Sequence, residues 1–209
     1  MTSSPHIAAI IPAAGLSSRF LAADNGTNTV TTKLVQRVGG STVIERVVSV
    51  VVESGCQSCV VVTGHEEVQI RALLWGKDVS IVSNEAYETG MGSSIVKGVA
   101  IVPNADGYLI LPADMPLVKL ESVRTIIRAF RPTGIVAPVF DGRRGHPVLF
   151  SSRFRNELLQ IDPSGGASPV LSANPGAVFE IEVADSGIHV DIDTFEDLQE
   201  AQLRINSDY

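Results

Sequence analysis

The stretch AAIIPAAGLSSRF, Ala8–Phe20, decides the fold class. It opens as an apolar run without polar alternation and ends in small residues around Gly15, closed by Arg19. A run of this kind reads as a strand covered on both faces, as in a parallel sheet flanked by helices. Similar runs recur at 58–63, 79–83, 107–112 and 134–139, with helical patterns between them at 41–54, 66–76, 93–102 and 119–130. In 66–76 the apolar face is Val68, Ile70, Leu73 and Leu74; in 119–130 it is Val123, Ile126, Ile127 and Phe130. This alternation predicts β-α-β crossovers and an α/β fold, a three-layer, doubly wound, mostly parallel sheet of Rossmann-like type.

The C-terminal third is less regular and reads as a small β-hairpin and helical elaboration. The segment VFDGRRGHPVLF, 139–150, gives two strand pieces around a turn. Helices are expected at 151–160 and 166–173, a strand at 177–183, and a final helix after Thr194, which caps it with the help of nearby acids. No repeat or linker interrupts the chain, so one domain over 1–209 is expected. Residues 21–32, LAADNGTNTVTT, are polar and aperiodic and read as a surface loop.

Of the 209 residues 44% are hydrophobic and 19% charged, ample material for a packed core and unlike a disordered chain. The net charge of −7 argues against a broad nucleic-acid-binding face, and no apolar run approaches the roughly 18 residues that span a bilayer. With no leader pattern evident, a cytoplasmic location is expected. Cys56 and Cys59 form CQSC at a strand entrance. Zinc needs two further ligands and redox pairs usually start helices, so two reduced thiols are the expected state.

In an open α/β sheet, ligands bind at the carboxyl ends of the strands. The segments expected there are PAAGLSSR, TGH with Thr63 and Gly64, SNEAYETGMGSS and PADMP, all small, glycine-rich or acidic. Ala13, Ala14 and Gly15 let backbone N–H groups approach an anion, and Arg19 supplies a forked donor. The same loop also reads as a tight strand-to-helix turn, since it lacks both a Walker A lysine and the full GxGxxG spacing. Asp114, held between Pro112 and Pro116 after an apolar strand, suits Mg²⁺ or an N-cap. Asp191 and Asp193 alternate with apolar residues, so on a strand both carboxylates share a face; a cation or the following helix N-terminus offsets their repulsion.

The segments IIPAAGLSSRF, GMGSSIVKGV, LPADMP, RRGHPVLF and DIDTFEDL follow in an order that resembles the molybdenum cofactor nucleotidyltransferases, nearest their cytidylyltransferase branch, within the nucleotide-diphospho-sugar transferase superfamily. The likeness covers nearly the whole chain. It implies a nucleotidyltransferase fold and a Mg²⁺- or Mn²⁺-dependent transfer of CMP from CTP to the terminal phosphate of molybdopterin, with release of pyrophosphate. By the same resemblance, Ala13, Ala14, Gly15, Ser17 and Arg19 wrap the triphosphate and Lys33 neutralises it. Ser93 and Ser94, after Gly90 and Gly92, face base and ribose. Asp114 holds the metal with Asp193, rather than Asp191, as second ligand, which leaves Arg19, Lys33 and Asp114 as the catalytic set. Gly92 and the segment Arg143–Pro147, with Arg144, Gly145 and His146, face the pterin; His146 reads equally well as a structural turn histidine.

Two departures stand out. Residues 21–32 separate Arg19 from Lys33, where the family has only a few residues, so that segment either displaces Lys33 or forms a lid. Ser168 stands where the family commonly has an arginine. A related transferase using GTP or another phosphorylated acceptor is the alternative, as is a non-catalytic binding chaperone for a molybdoenzyme. The expected partners are CTP, a molybdopterin-type cofactor, and a molybdoenzyme or its maturation chaperone, with neither nucleic acid nor membrane.

Overall fold

In the computed structural model, residues 4–15, 20 and 32–207 are described. Strand β1 (Ile7–Ala13) is buried throughout, as its apolar sequence requires. It pairs in parallel with β4 (Ser58–Thr63) on one side and β6 (Gly107–Ile110) on the other. Beyond β4 lies β5 (Ser80–Ser83), also parallel. On the other flank β9 (Val148–Ser151) runs antiparallel to both β6 and β7 (Ile135–Phe140), and β10 (Val178–Glu182) pairs in parallel with β7. The path is β10-β7-β9-β6-β1-β4-β5, with β8 (Arg143–Arg144) folded back on β7. Asp141 and Gly142, both at positive φ, form the two-residue turn between β7 and β8 that the twist of a hairpin favours. The sheet is thus mostly parallel with helices on both faces, as the sequence predicted.

Odd and even residues of β1 enter different cores. Ile7, Ala9 and Ile11 face α1 (Val43–Ser54), α4 (Leu120–Arg128) and α7 (Phe195–Ser207). Ala8 and Ile10 face α3 (Met91–Ile101), α5 (Arg155–Leu158) and α6 (Ser168–Ala173). This period-two division makes three layers from one strand pattern.

Boundaries shift where local chemistry intervenes. The helix expected from residue 41 starts at Val43, because Ser41–Thr42 (β3) pairs with Arg37–Val38 (β2) and Thr42 closes a capping box with Glu45. The pattern over 66–76 yields only α2 (Glu67–Leu73), and Gly76 beyond it has φ +76°. Residues 190–193 form no strand; Ile192 is nonetheless buried between the outward Asp191 and Asp193. Among the described residues no helix is long and apolar enough to cross a membrane. Cys56 and Cys59 are free thiols, and burial, with Cys56 and Asp78 adding to it, pushes Cys59 up to about 12.

Candidate functional site

A cavity of about 390 Å³ opens at the carboxyl ends of β1 and β6, where a doubly wound sheet is expected to bind. Its floor is Pro12–Gly15, continuing β1, beside Pro112–Asp114, continuing β6. The two extensions stay paired past the strands: Leu111 N–H donates to Ile10 O and Ala113 N–H to Pro12 O, each at 3.1 Å. Asp114 therefore leaves the sheet at a fixed point next to Ala13 and Ala14. Its carbonyl accepts Ile192 N–H at 2.9 Å, which draws the chain around Asp193 to the same edge.

Lys33 joins the two acids. Its Nζ lies 2.7 Å from Asp114 Oδ2 and 2.9 Å from Asp193 Oδ1. Burial pulls the ammonium down; the adjoining Asp114 and Asp193 carboxylates more than reverse this, leaving it above its ordinary 10.5. Lys33 is not displaced from the acids by the long segment before it. Thr32 explains how: its backbone N–H and hydroxyl both donate to the Glu66 carboxylate, which pins the chain one residue before the lysine. Residues 21–31, and Ser17 and Arg19 of the first loop, lie outside the described residues.

The far wall comes from the segment after β5 and the first turn of α3, where Tyr87, Glu88, Gly90, Met91 and Ser94 line the cavity. The buried Asn84 braces it. Asn84 Nδ2 donates to Ser93 Oγ (2.8 Å) and Ser94 Oγ (3.0 Å), and Asn84 Oδ1 accepts Ala86 N–H (3.1 Å). Ser93 does not line the cavity, and its hydroxyl donates to Gly90 O at 2.7 Å. Gly92 is not exposed to the cavity: a Cβ there would stand 2.2 Å from Asp162 O, so the start of α3 lies flat on the 162–164 turn.

The remaining residues singled out by sequence do not line the cavity. Thr63 is fully buried and gives its hydroxyl to Val82 O at 3.3 Å, and Gly64 lies behind Tyr87 and Ala14. Arg144 is exposed and paired with Glu180 at 2.5 Å, while Gly145 is packed on Ile188. His146 donates its backbone N–H to Ile188 O at 3.0 Å; burial holds its imidazole below the ordinary 6.5 against upward pulls from Asp114 and Asp191. Ser168 is exposed at the start of α6.

Sequence reasoning passed over three residues. Asn84 and Glu66 act on partners brought close only by folding. Asp197, expected only among the acids that help Thr194 cap the final helix, also holds Asp193: it accepts Asp193 N–H (3.0 Å) and Thr194 N–H (2.7 Å), while Thr194 Oγ1 accepts Asp197 N–H (3.2 Å). The Thr-x-x-Asp spacing of a capping box was the available signal.

Two convergent carboxylates are hard oxygen donors of the kind that hold Mg²⁺ or Mn²⁺ together with phosphate oxygens and water. Among the described residues no group of three or more His, Cys, Asp or Glu forms an all-protein metal cage. The donor set therefore fits a metal that arrives with a phosphorylated ligand.

Known proteins share this architecture. The chain is similar to nicotine blue oxidoreductase of Paenarthrobacter nicotinovorans, 26% identical over 167 residues that cover 76% of this chain and 82% of that protein. It is also similar to the bifunctional protein GlmU of Francisella tularensis subsp. novicida, 31% identical over 115 residues, but spans only 25% of that protein's length. Among solved structures, a nucleotidyl transferase from Methanothermobacter thermautotroptrophicus superposes with a TM-score of 0.85 at 24% identity, covering 98% of this chain and 99% of that one. Rv0371c of Mycobacterium tuberculosis H37Rv, in complex with manganese, gives 0.73 at 24% identity over 95% and 98% of the two chains. Residues 9–178 match the MobA-like NTP transferase domain, and with that match spanning most of its length the chain belongs to the MobA-like NTP transferase family.

Proposed function

We propose that the protein moves CMP from CTP to the terminal phosphate of a molybdopterin-type cofactor and releases pyrophosphate. The observation that carries this reading is the meeting of Lys33 with Asp114 and Asp193 beside the small-residue floor Ala13–Gly15. A cation, two carboxylates and accessible backbone in one cavity suit a metal-bound triphosphate.

Asp114 and Asp193 would hold Mg²⁺ or Mn²⁺, and the manganese complex of Rv0371c supports a divalent ion in this fold. That ion supplies charge neutralisation for the triphosphate. The chain's own residues bind and orient: Lys33 offsets charge on the phosphates, and Ser94, braced by Asn84, stands on the nucleotide side. Arg19 and Ser17 act on the phosphates in the same reading, as does the segment before Lys33 as a lid. A phosphate acceptor is already largely dianionic at neutral pH, with a second pKa of about 6. It attacks the α-phosphorus without a general base, and positioning plus electrostatics carry the rate. The pterin lies toward Arg144 and His146, and the product passes to a molybdoenzyme or its maturation chaperone in the cytoplasm.

The test is pyrophosphate release by the purified protein with Mg²⁺, molybdopterin-type cofactor and CTP, GTP or UTP in turn. Release that depends on the cofactor and is fastest with CTP supports the reading. Equal release with GTP, or none with any nucleotide, contradicts it.

A further inference from the structure

Lys33 is bonded to both carboxylates that the nucleotidyl-transfer reading gives to a metal ion. Its Nζ bonds one oxygen of each acid, Asp114 Oδ2 at 2.7 Å and Asp193 Oδ1 at 2.9 Å. The lysine side chain is 12% exposed and the two carboxylates 22% and 36%, so water screens the Lys33–Asp114 contact less than the Lys33–Asp193 contact. Taken alone, Lys33, Asp114 and Asp193 carry a net charge of −1. A divalent ion entering this cluster alone meets an ammonium already held by both of its ligands. That arrangement opposes a bare metal through repulsion and through competition for lone pairs.

A nucleoside triphosphate changes the balance. It brings oxygen ligands for the metal and a second set of anionic partners for the ammonium. Lys33 has four rotatable side-chain bonds and three donors, so it can turn from carboxylate to phosphate while its backbone stays where Thr32 and Glu66 hold it.

We propose that Lys33 is the internal counter-ion of the metal-free site, leaving Asp114 and Asp193 for phosphate oxygens when metal and triphosphate bind, so that each ligand strengthens the binding of the other. This rests on the nucleotidyl-transfer reading, in which those two acids take the metal. Reciprocal coupling follows because both ligands favour the same displaced lysine. The phosphates' direct coordination of the metal adds coupling of its own, so the lysine's share is read by removing the lysine.

The experiment titrates MnCl₂ into wild type and Lys33→Met, following free Mn²⁺ by electron paramagnetic resonance with and without inorganic tripolyphosphate. Methionine keeps the length of the stem and removes the charge. Wild type should bind Mn²⁺ weakly alone and more tightly with tripolyphosphate. Lys33→Met should bind Mn²⁺ alone about tenfold more tightly, a change of about 1.4 kcal/mol, and lose part of the tripolyphosphate effect. Lys33→Arg, which keeps the charge, should not tighten Mn²⁺ binding. Equal Mn²⁺ affinity in wild type and a natively folded Lys33→Met overturns the proposal.

A second measurement needs no variant. In wild type with ¹³C-methylated lysines, the Lys33 signal should move at a much lower Mg²⁺ concentration with a non-hydrolysable CTP analogue than with Mg²⁺ alone. Movement at the same Mg²⁺ concentration with and without the analogue, or none with both, overturns it. If CMP transfer is measured but Lys33→Met leaves Mn²⁺ affinity unchanged, the counter-ion role fails and the functional reading stands. If wild type transfers no nucleotide, the functional reading fails and the metal titration still reports on Lys33.

Discussion

Asp197 Oδ2 accepts the backbone N–H of Asp193 at 3.0 Å, so the acid facing Lys33 is itself held by an acid four residues further along. The same carboxylate closes the capping box of α7 with Thr194. Replacing Asp197 by Ala removes the box and should cost about 1 kcal/mol of stability. In a chain of this size that lowers Tm by roughly 2–4 °C. If Asp197 also positions Asp193, Mn²⁺ affinity measured with tripolyphosphate falls several-fold, which a helix cap alone does not require. Unchanged affinity with a lowered Tm assigns Asp197 to helix capping only.

Asn84 is the brace of the wall opposite Lys33, bonding Ser93, Ser94 and Ala86. Asn84→Ala leaves buried hydroxyls without their donor, at about 1–3 kcal/mol. The expected kinetic result is a raised KM for the nucleotide with a smaller change in kcat, because the wall positions rather than reacts. Steady-state assays over a range of CTP concentration decide this; a loss confined to kcat contradicts it.

Gly92 touches the 162–164 turn so closely that a Cβ would lie 2.2 Å from Asp162 O, a backbone atom that cannot turn aside. Gly92→Ala should destabilise by about 1–3 kcal/mol through overpacking. Amide exchange should speed up at the start of α3 while β1 and β4 stay protected. Wild-type stability in this variant contradicts the packing described.

The cap of α1 gives a pH dependence. The Thr42 backbone N–H bond, ahead of the opposing effect of burial, leaves the Glu45 carboxyl below its ordinary 4.5. A depressed native pKa means the stabilisation is complete above the unfolded value and is lost as pH falls through the native one. Urea unfolding of wild type and Glu45→Gln should therefore converge at acid pH and differ at neutral pH. A difference that persists at acid pH contradicts this.

Much of the fold is legible in the chain because buried parallel strands carry a strong local signal. The run at 58–63 becomes a strand over those residues, and the apolar start of the stretch Ala8–Phe20 becomes β1. The antiparallel placement of β9 between β6 and β7 is not legible, since an apolar run does not state its partner or direction. The same holds within the candidate site. Lys33, Asp114 and Asp193 carry a readable vocabulary of charge at strand ends. Glu66 and Asn84 look like ordinary loop polar residues until folding brings Thr32 and the two serines to them. Thr63 shows the opposite case: its place after a strand suggests a ligand contact, while its hydroxyl is spent on the neighbouring strand.

Nucleotidyl transfer at the site where Lys33 meets Asp114 and Asp193 leaves a traceable product. Its most direct test incubates CTP labelled at the α-phosphorus with molybdopterin-type cofactor, Mg²⁺ and either wild type or Asp114→Asn, and follows the label. Wild type should transfer the label to the cofactor, and the loss of Asp114's charge should reduce transfer by at least about 100-fold, the scale of losing a group that stabilises the transition state. Transfer by Asp114→Asn at the wild-type rate, or label that never leaves CTP with wild type, would contradict it.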